Sequence, residues 1–493
     1  MQSAVWYDRN RKYDRSIRQF QHCYSRCGVL LRQSVCLLCL VLAAGCVSPT
    51  YLSRAHVSGD VLARTGYDLG PPTPACDLAF DEWVVWEDGL TEEEAIAVGL
   101  WNNPGYQELL ADLDISQADI VLAAQLQNPQ VLTMLPIGVK QWEFALYAPL
   151  DILWVRPVRI SAAELESHRV AERLTQDGLN VVRDIRVAYI DWQLAVQRAQ
   201  LTEQGETLRR EIARIAEARL AAGDVAELDV SAVRLDALVG AADVSRTARD
   251  ADLARNRLRY LLGVQLTDLP MLPAPLPEPP TANFDVQSLI DEAVSSRPDL
   301  RAVELAVGAA EDRAKIARRD IWQFTGILPD INAKGDKGFE AGPGMRFTVP
   351  IFHQNQGAIA RAKADAERLR RQYVNRRDLA AWEVNQAYIQ FLQAQADLEI
   401  WRDQILPQAS QAMMSSQSAL EEGQVSLLLV LETTRQLMTA QQRERDAEAQ
   451  LRRALAELER SVGHRLMDVV ANAPMSAAER LPIPEVNVGE ETR

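Results

Sequence analysis

The sequence predicts a mainly α-helical protein with a small β portion, organised as two related halves. Three observations support this prediction. Apolar residues recur at coiled-coil spacing over long stretches, each half contains one interruption with strand-like alternation, and the same signals return after about 200 residues. The hydrophobic content of 47% and the charged content of 25% are those of a folded chain.

A coiled-coil seam marks the long helices of both halves. Its apolar residues step by four and three positions, and a shift of 199 residues maps each onto another apolar residue. From Gln356 to Glu422 the chain contains one proline, Pro407, so a helix on the order of 100 Å is expected there. That length suits a tube crossing a compartment better than a globular domain. The two sets are Val181, Ile185, Ala188, Trp192, Ala195 and Ala199, and Ala380, Val384, Ala387, Phe391, Ala394 and Leu398.

The interruptions predict one β-hairpin in each half, at about 130–150 and about 327–351. Residues 141–148 alternate after a short apolar run, and residues 345–351 alternate after a glycine-rich loop over 335–344. Each strand is expected to reach the roughly 9–11 residues of a transmembrane β-strand. Apolar side chains fall on one side of each strand: Trp142, Phe144 and Leu146, and Met345, Phe347, Val349 and Ile351.

Four strands are too few to close a barrel around a pore, whereas three chains would supply twelve. The alternation by itself fits a soluble hairpin equally well. The combination with very long helices and a secretory signal favours a membrane barrel.

Matching glycines and a proline-rich segment define the repeats. Gly223 matches Gly423, and Gly263 matches Gly463. Asn103-Pro104 opens one half and Arg297-Pro298 the other, and residues 270–282 form a semi-rigid linker between the halves. The predicted divisions are a first repeat over 90–269, a second over 283–470 and a C-terminal tail over 471–493.

Residues 1–45 have the features of a signal peptide. Basic residues precede the apolar run 34–44, and Gly45-Cys46 follows it. A start near Val29 would give a signal of ordinary length, so we hypothesise that residues 1–28 are a start-site artefact, which N-terminal sequencing of the precursor would test. After Cys46 no apolar run approaches the ~20 residues of a spanning helix.

Leu42-Ala-Ala-Gly-Cys46 resembles a bacterial lipobox, so Cys46 is expected to be acylated and residues 46–89 to form a lipidated N-terminal segment. The alternative is an ordinary signal with a chance cysteine. Outside the signal only Cys46 and Cys76 remain. Because Cys46 is expected to be acylated, no intramolecular disulfide is expected.

Composition and motifs argue against several functional classes. The net charge of −15 disfavours nucleic acid, whose phosphates require Lys and Arg. The five histidines stand singly, without zinc-ligand spacing, and no phosphate-binding Gly-Lys-Ser/Thr loop occurs. We therefore expect no catalytic residue, no bound metal and no cofactor.

Three segments resemble the TolC-like outer-membrane efflux factors. Residues 349–362, Val-Pro-Ile-Phe-His-Gln-Asn-Gln-Gly-Ala-Ile-Ala-Arg-Ala, are similar to the strand-to-helix junction of that family, most closely in members serving cobalt–zinc–cadmium pumps. Residues 90–104 resemble the opening of the family's repeat, and Asn128-Pro129 its helix-to-strand exit. The likeness covers roughly residues 90–470.

The resemblance implies a trimer in the outer membrane, with a periplasmic α-barrel of coiled-coil hairpins and a twelve-stranded β-barrel. It also implies outer-membrane lipid around the barrel, a periplasmic adaptor, and an inner-membrane pump of the RND type as partners. The adaptor-docking turns would lie at Gly223 and Gly423, because the family's hairpin tips match these positions.

The family often carries acids just after each tip glycine, where the closed pore is narrowest. Asp229 and Glu432 are the matching candidates for the pore gate, and Leu429 stands where another acid is common. Threefold symmetry would turn either acid into a ring that attracts cations. The alternative for both is a solvated carboxylate on a helix face.

Two other functions compete with an efflux channel. A periplasmic adaptor lipoprotein also has long helical hairpins, but it should contain one central hairpin rather than two matched halves. A structural coiled-coil lipoprotein would have no need of two alternating hairpins at equivalent points.

Overall fold

The computed structural model describes most of the chain between residues 52 and 466, in two compact units. The strand unit comprises Gln117–Ala163 and Asp312–Ala360, and the helical unit comprises Leu52–Ser116, Glu164–Glu311 and the chain from Arg361. The predicted signal peptide, the predicted lipidation site Cys46, Cys76 and the tail 471–493 lie outside the described residues. These are 52–72, 77–80, 84, 89–135, 143–150, 152–265, 271–279, 283–322, 324–333 and 339–466.

The same order of elements occurs twice: a short helix, a longer helix, two strands and a pair of long helices. The prediction of a mainly helical chain with few strands is confirmed. A helix α1, Arg54–Thr65, precedes the first set, which is α2 Glu92–Asn102, α3 Pro104–Ala124, β1 Gln130–Met134, β2 Glu143–Pro149, α4 Ile152–Ala222 and α5 Glu227–Leu261. The second set is α6 Val286–Ser296, α7 Pro298–Arg319, β3 Phe324–Ala333, β4 Phe339–Phe347, α8 Gln356–Glu399, α9 Leu406–Glu421 and α10 Leu427–Val462.

Local sequence explains where the short helices begin. Thr91 and Glu94 form a capping box at the start of α2, in which the Glu94 carboxylate accepts the Thr91 N–H at 2.8 Å. Pro104 and Pro298 are the first residues of α3 and α7. This position suits proline because the first N–H groups of a helix have no intrahelical partner.

The strand unit contains one antiparallel sheet of order β1-β2-β3-β4. Tyr147 pairs with Gln130 on β1 and with Ile327 on β3, and Ile327 pairs in turn with Gly344 on β4. Register shifts interrupt the β2–β3 and β3–β4 ladders, so the sheet contains bulges. Strands β1 and β4 form its two edges.

The strand bounds differ from the sequence prediction. Strand β4 ends at Phe347 rather than Ile351, because Pro350 has no N–H to continue a ladder. Gly342 and Gly344, which were expected in a loop, pair with β3 instead. Strands β1 and β2 have five and seven residues, fewer than the length predicted for them.

The helix expected from Gln356 to Glu422 is interrupted by a π-helical turn, Ile400–Ile405. The Leu406 N–H bonds to the Trp401 carbonyl, five residues back rather than four. Pro407 follows directly, and its ring would clash with the carbonyl four residues earlier in a regular α-helix. The wider turn relieves that clash while the chain stays helical.

The coiled-coil seams form the cores of the two repeats. In α8 all six predicted residues are buried, and Phe391 packs on Phe284 with ring centroids 5.8 Å apart. In α4, Ile185, Ala188 and Trp192 are buried, whereas Val181, Ala195 and Ala199 are partly exposed. Helix α4 is also buried on a second face, through Val182, Tyr189, Ile190 and Leu194.

In each repeat, the side chain of the opening residue donates a hydrogen bond to a backbone carbonyl near the end of the last helix. Asn103 Nδ2 donates to the Leu261 carbonyl at the end of α5, at 2.8 Å. Arg297, at the matching place, donates to the Ser461 carbonyl near the end of α10, at 3.0 Å. Equivalent positions therefore perform the same task with different side chains.

Glu172 of α4 is partly buried and lies near Asp60 and Arg64 of α1. Burial raises the pKa of the Glu172 carboxyl to about 7, although the nearby Arg64 guanidinium opposes the rise. Between its ordinary pKa of 4.5 and about 7, the folded protein binds this proton more tightly than the unfolded chain does. Stability is therefore lost as pH rises through that window.

We expect the substitution Glu172→Gln to remove this loss of stability with rising pH. Between about pH 5 and pH 8, wild-type unfolding free energy should fall relative to the variant's by about 3 kcal/mol, measured by denaturant unfolding. Glu166→Gln serves as the control, because Glu166 lies on the same helix in a partly exposed pair with Arg169 at 2.7 Å. Parallel pH profiles for wild type and Glu172→Gln would contradict the prediction.

Candidate functional site at the hairpin turns

Gly223 and Gly423 each close a turn between two long helices. Gly223 has φ of +82° and Gly423 of +72°, a left-handed conformation that glycine adopts without strain. The Gly223 N–H donates to the Leu220 carbonyl at 2.9 Å, and the Asp224 N–H donates to the Arg219 carbonyl at 2.9 Å. The second turn repeats this helix-ending pattern, with Gly423 on Leu420 at 3.1 Å and Gln424 on Ala419 at 2.8 Å.

Both turns are open to solvent. A Cβ added at Gly223 or at Gly423 would meet no other atom within 4 Å. The glycines are thus required by backbone conformation and not by crowding. Their exposure leaves the two turns accessible to another molecule.

The two candidate gate acids lie close behind these turns on the following helices. Asp229 is the third residue of α5 and is partly exposed. Glu432 is the sixth residue of α10 and is exposed, and its carboxylate accepts a hydrogen bond from Gln436 at 3.1 Å. Within one chain, neither acid belongs to the ion cluster described next.

A small apolar cluster joins the two hairpins behind the turns. Ile212 and Ala216 of α4, Val230 and Val233 of α5 and Leu431 of α10 are buried together. These contacts place α10 against the first hairpin. The two turns consequently belong to one surface of the helical unit.

Beyond this cluster lies a buried carboxylate that holds two arginines. Asp236 of α5 is 5% exposed, and Arg435 of α10 donates to its Oδ1 from Nε at 3.0 Å and from Nη2 at 2.6 Å. Arg209 of α4 places its Nε 3.4 Å from Oδ2. Gly240 allows this approach, because a Cβ there would stand 3.0 Å from the Arg209 guanidinium. One acid therefore connects three helices.

A cavity of about 840 Å³ lies between α4, α5 and α10, and Asp236 lines it. Its other charges are largely paired, as in Arg198 with Asp446 at 2.6 Å and Arg246 with Asp243 at 3.1 Å. Alternating pairs give the wall a polar character without a strong field of one sign. Such a wall suits contact with water and varied solutes.

The sequence analysis did not identify Asp236, Arg209 or Arg435. One signal was present, because Asp236 falls in the buried stripe of α5 that also contains Val230, Val233 and Gly240. A carboxylate in such a stripe requires a partner, since an unpaired buried charge is costly. The identity of the partners depends on the packing of α10.

No group of three or more His, Cys, Asp or Glu side chains among the described residues is arranged to hold a metal ion. None of the described helices has the length and apolar composition to span a membrane.

Comparison with known proteins places these features in one family. The sequence profile described as outer membrane efflux protein matches residues 289–464, from α6 to just past α10. The cobalt-zinc-cadmium resistance protein CzcC of Cupriavidus metallidurans is 25% identical over 395 residues, covering 76% of this chain and 90% of that protein. The pyoverdine export outer membrane protein OpmQ of Pseudomonas aeruginosa is 29% identical over 185 residues, covering 36% of this chain and 37% of that protein.

Solved structures share the fold. A membrane protein from Pseudomonas aeruginosa superposes with a TM-score of 0.65 at 19% identity, covering 80% of this chain and 98% of that chain. CusC, described as forming a transmembrane channel, gives a TM-score of 0.65 at 17% identity with the same coverage. Residues 289–464 match the outer membrane efflux protein family, and the alignment with CzcC and the shared fold extend this likeness to most of the chain, which is an efflux channel and not an enzyme.

Proposed function

We propose that the protein is the outer-membrane exit duct of a tripartite efflux pump and that it works as a homotrimer. The open edges of the four-stranded sheet are the main observation behind this proposal. Strands β1 and β4 are both edges, and an exposed strand edge presents unpaired N–H and C=O groups. In lipid these groups must all be paired.

Three copies would pair these edges. In a four-stranded antiparallel sheet the two edge strands run in opposite directions, so β4 of one copy can pair antiparallel with β1 of the next. The result is a closed barrel of twelve strands. Met345 and Phe347 of β4 are 60% and 55% exposed, and Arg346 between them stacks on Tyr147 at 4.8 Å. Apolar and polar residues thus alternate as in a membrane barrel.

The hairpin turns at Gly223 and Gly423 are proposed to dock the periplasmic adaptor. This assignment is supported by their exposure and by the apolar cluster that joins them into one surface. The channel itself is passive, and an inner-membrane pump of the RND type would supply the energy. An adaptor is not favoured as the identity of this chain, because the element order occurs twice.

Heavy-metal cations are the proposed substrates. The basis is the alignment with CzcC over 90% of that protein, which is much longer than the alignment with OpmQ. Cobalt, zinc and cadmium are therefore the first ions to test, and pyoverdine is the alternative substrate.

We further propose that Cys46 is acylated and anchors the mature chain to the outer membrane from its periplasmic side. The apolar run ending at Gly45-Cys46 supports this assignment. Metabolic labelling with a palmitate analogue should mark the wild type but not Cys46→Ser. Equal labelling of both would refute the anchor.

The acids at the turns are proposed to form charged rings at the channel entrance. Replacing both, as Asp229→Asn with Glu432→Gln, should lower the preference for cations, because a ring of like charges concentrates counter-ions. The measurement is the reversal potential of trimers in a planar bilayer under a salt gradient.

Asp378→Asn is the matched control for these rings. Asp378 is an exposed carboxylate of α8 held by Arg377 at 2.9 Å, and it lies far from either turn in sequence. A reversal potential unchanged in the double variant, or shifted equally in the control, would assign Asp229 and Glu432 to solvated helix faces.

One experiment tests the proposed function as a whole. The full-length precursor is expressed with its own signal and extracted from the outer membrane in mild detergent, and the particle's mass is determined before it is imaged. In parallel, a deletion strain with and without the reintroduced gene is assayed for accumulation of zinc, cobalt and cadmium. A trimeric particle and restored metal efflux are expected. A monomer from the inner membrane would refute the channel trimer. Restored pyoverdine export without metal efflux would refute heavy-metal cations as the substrates and make pyoverdine the substrate instead.

A further inference from the structure

A small, arginine-rich cavity lies in the helical unit, apart from the hairpin turns. It lies between α1, α4 and the end of α10 and has a volume of about 20 Å³. This is about the space that one water molecule occupies. Its charged or titratable lining residues are five arginines, one histidine and one acid: Arg64, Arg183, Arg186, Arg460, Arg465, His464 and Glu459.

The single lining carboxylate is already engaged. Glu459 Oε2 accepts from Arg186, and Oε1 accepts the Leu466 N–H at 3.0 Å. The other carboxylates that pair with these arginines are not part of the lining, as with Glu457 beside Arg183 at 2.8 Å. Carboxylates balance Arg183, Arg186 and Arg460, so the feature that sets the cavity apart is its wealth of hydrogen-bond donors together with the charge of Arg64.

Arg64 is the lining arginine whose charge is least compensated by a carboxylate. Its guanidinium donates to the Gly463 carbonyl at 3.2 Å, and no carboxylate among the described residues lies within ion-pair distance of it. Burial lowers the pKa of Arg64, and the charges of Glu172 and Asp60 offset this only in part. Glu172 is itself only partly ionised near neutral pH, since its pKa is about 7.

Two further donors on the wall lack a well-directed acceptor. The Nε atoms of Arg183 and Arg186 are buried and make no hydrogen bond, although Asp184 and Glu92 stand 2.8 and 3.1 Å away. Proximity without alignment satisfies the charge but not the N–H group. A buried donor without an acceptor is costly.

We propose that this cavity binds one monatomic anion, chloride under ordinary conditions. An anion accepts hydrogen bonds from several donors at once and neutralises the charge of Arg64, which water cannot do. The volume of about 20 Å³ suits a single small ion. The site would join α1 to α4 of the first repeat and to α10 of the second. It is independent of the proposed substrate and partners.

The test compares halide with a bulky anion on the full-length protein in detergent. At constant ionic strength, the melting temperature of the wild type should rise as chloride replaces gluconate, because a ligand that binds only the folded state stabilises it. Crystals soaked in bromide should show an anomalous peak in the cavity.

Arg64→Met should abolish both the chloride-dependent rise and the bromide peak, since it keeps the bulk of the side chain and removes the charge. Arg198→Met is the control, because Arg198 of α4 is in an exposed pair with Asp446 elsewhere and should retain both signals. Equal melting in chloride and gluconate, or a cavity containing water without a bromide peak, would overturn the proposal. The wild-type measurements decide the question even when Arg64→Met does not fold.

Discussion

Replacing Gly263 with alanine is expected to lower the free energy of unfolding by about 2–5 kcal/mol, combining left-handed strain with overpacking. Gly263 follows α5 with φ of +72°. An added Cβ would stand 2.1 Å from the carbonyl oxygen of Asn102 and 2.7 Å from its carbonyl carbon. Backbone atoms cannot rotate away as a flexible side chain can. The end of α2 would therefore separate from the end of α5.

Gly223→Ala separates the two contributions to this loss. Its φ of +82° is similar, but an added Cβ would have no neighbour within 4 Å. We expect about 1–2 kcal/mol for the strain of that conformation alone. Denaturant unfolding followed by far-UV circular dichroism measures both variants. Equal losses would show that the close approach of Asn102 contributes nothing.

Replacing Arg297 with methionine is expected to cost about 3 kcal/mol, the scale for breaking a buried ion pair. The Arg297 side chain is 3% exposed and pairs with Asp299 and with Glu383, each at 2.8 Å. Burial alone lowers the pKa of Arg297, whereas the hydrogen bonds and charges of these two acids raise it above its ordinary value. Methionine would leave both carboxylates without their main partner and would remove the bond to the Ser461 carbonyl.

Arg301→Met is the control for Arg297→Met. Arg301 lies in α7, four residues further along the chain. Arg301 pairs with Glu304 at 2.9 Å, but both side chains are about one-third exposed. Its loss should cost less than about 1 kcal/mol, since exposed ion pairs contribute little. Thermal and denaturant unfolding of both variants provide the comparison. Similar losses would mean that the burial of Arg297 is not what makes its pairs strong.

Gly263 and Arg297 show which features could be predicted from the sequence and which could not. Matching Gly263 with Gly463 and Asn103 with Arg297 required only the repeat. The reason for each match appeared with the structure, where Asn103 and Arg297 bond to the carbonyls of Leu261 and Ser461. A contact between residues more than 150 positions apart leaves no local signal in one chain.

The candidate site divides in the same way. The turn glycines were evident from sequence because a left-handed turn between two helices favours glycine locally. The cluster of Asp236 with Arg209 and Arg435 was not, because the same carboxylate on an exposed face would need no partner.

The sequence by itself determined the helical seams, the two-fold repeat, the turn glycines and the existence of two strand pairs, since each depends on periodicity or on the backbone freedom of single residues. Tertiary structure decided the rest. Pairing with β3 placed Gly342 and Gly344 in a strand against their propensity, and the packing of α10 gave Asp236 its arginines. Both outcomes follow from hydrogen bonds and charges that meet only after distant segments have packed.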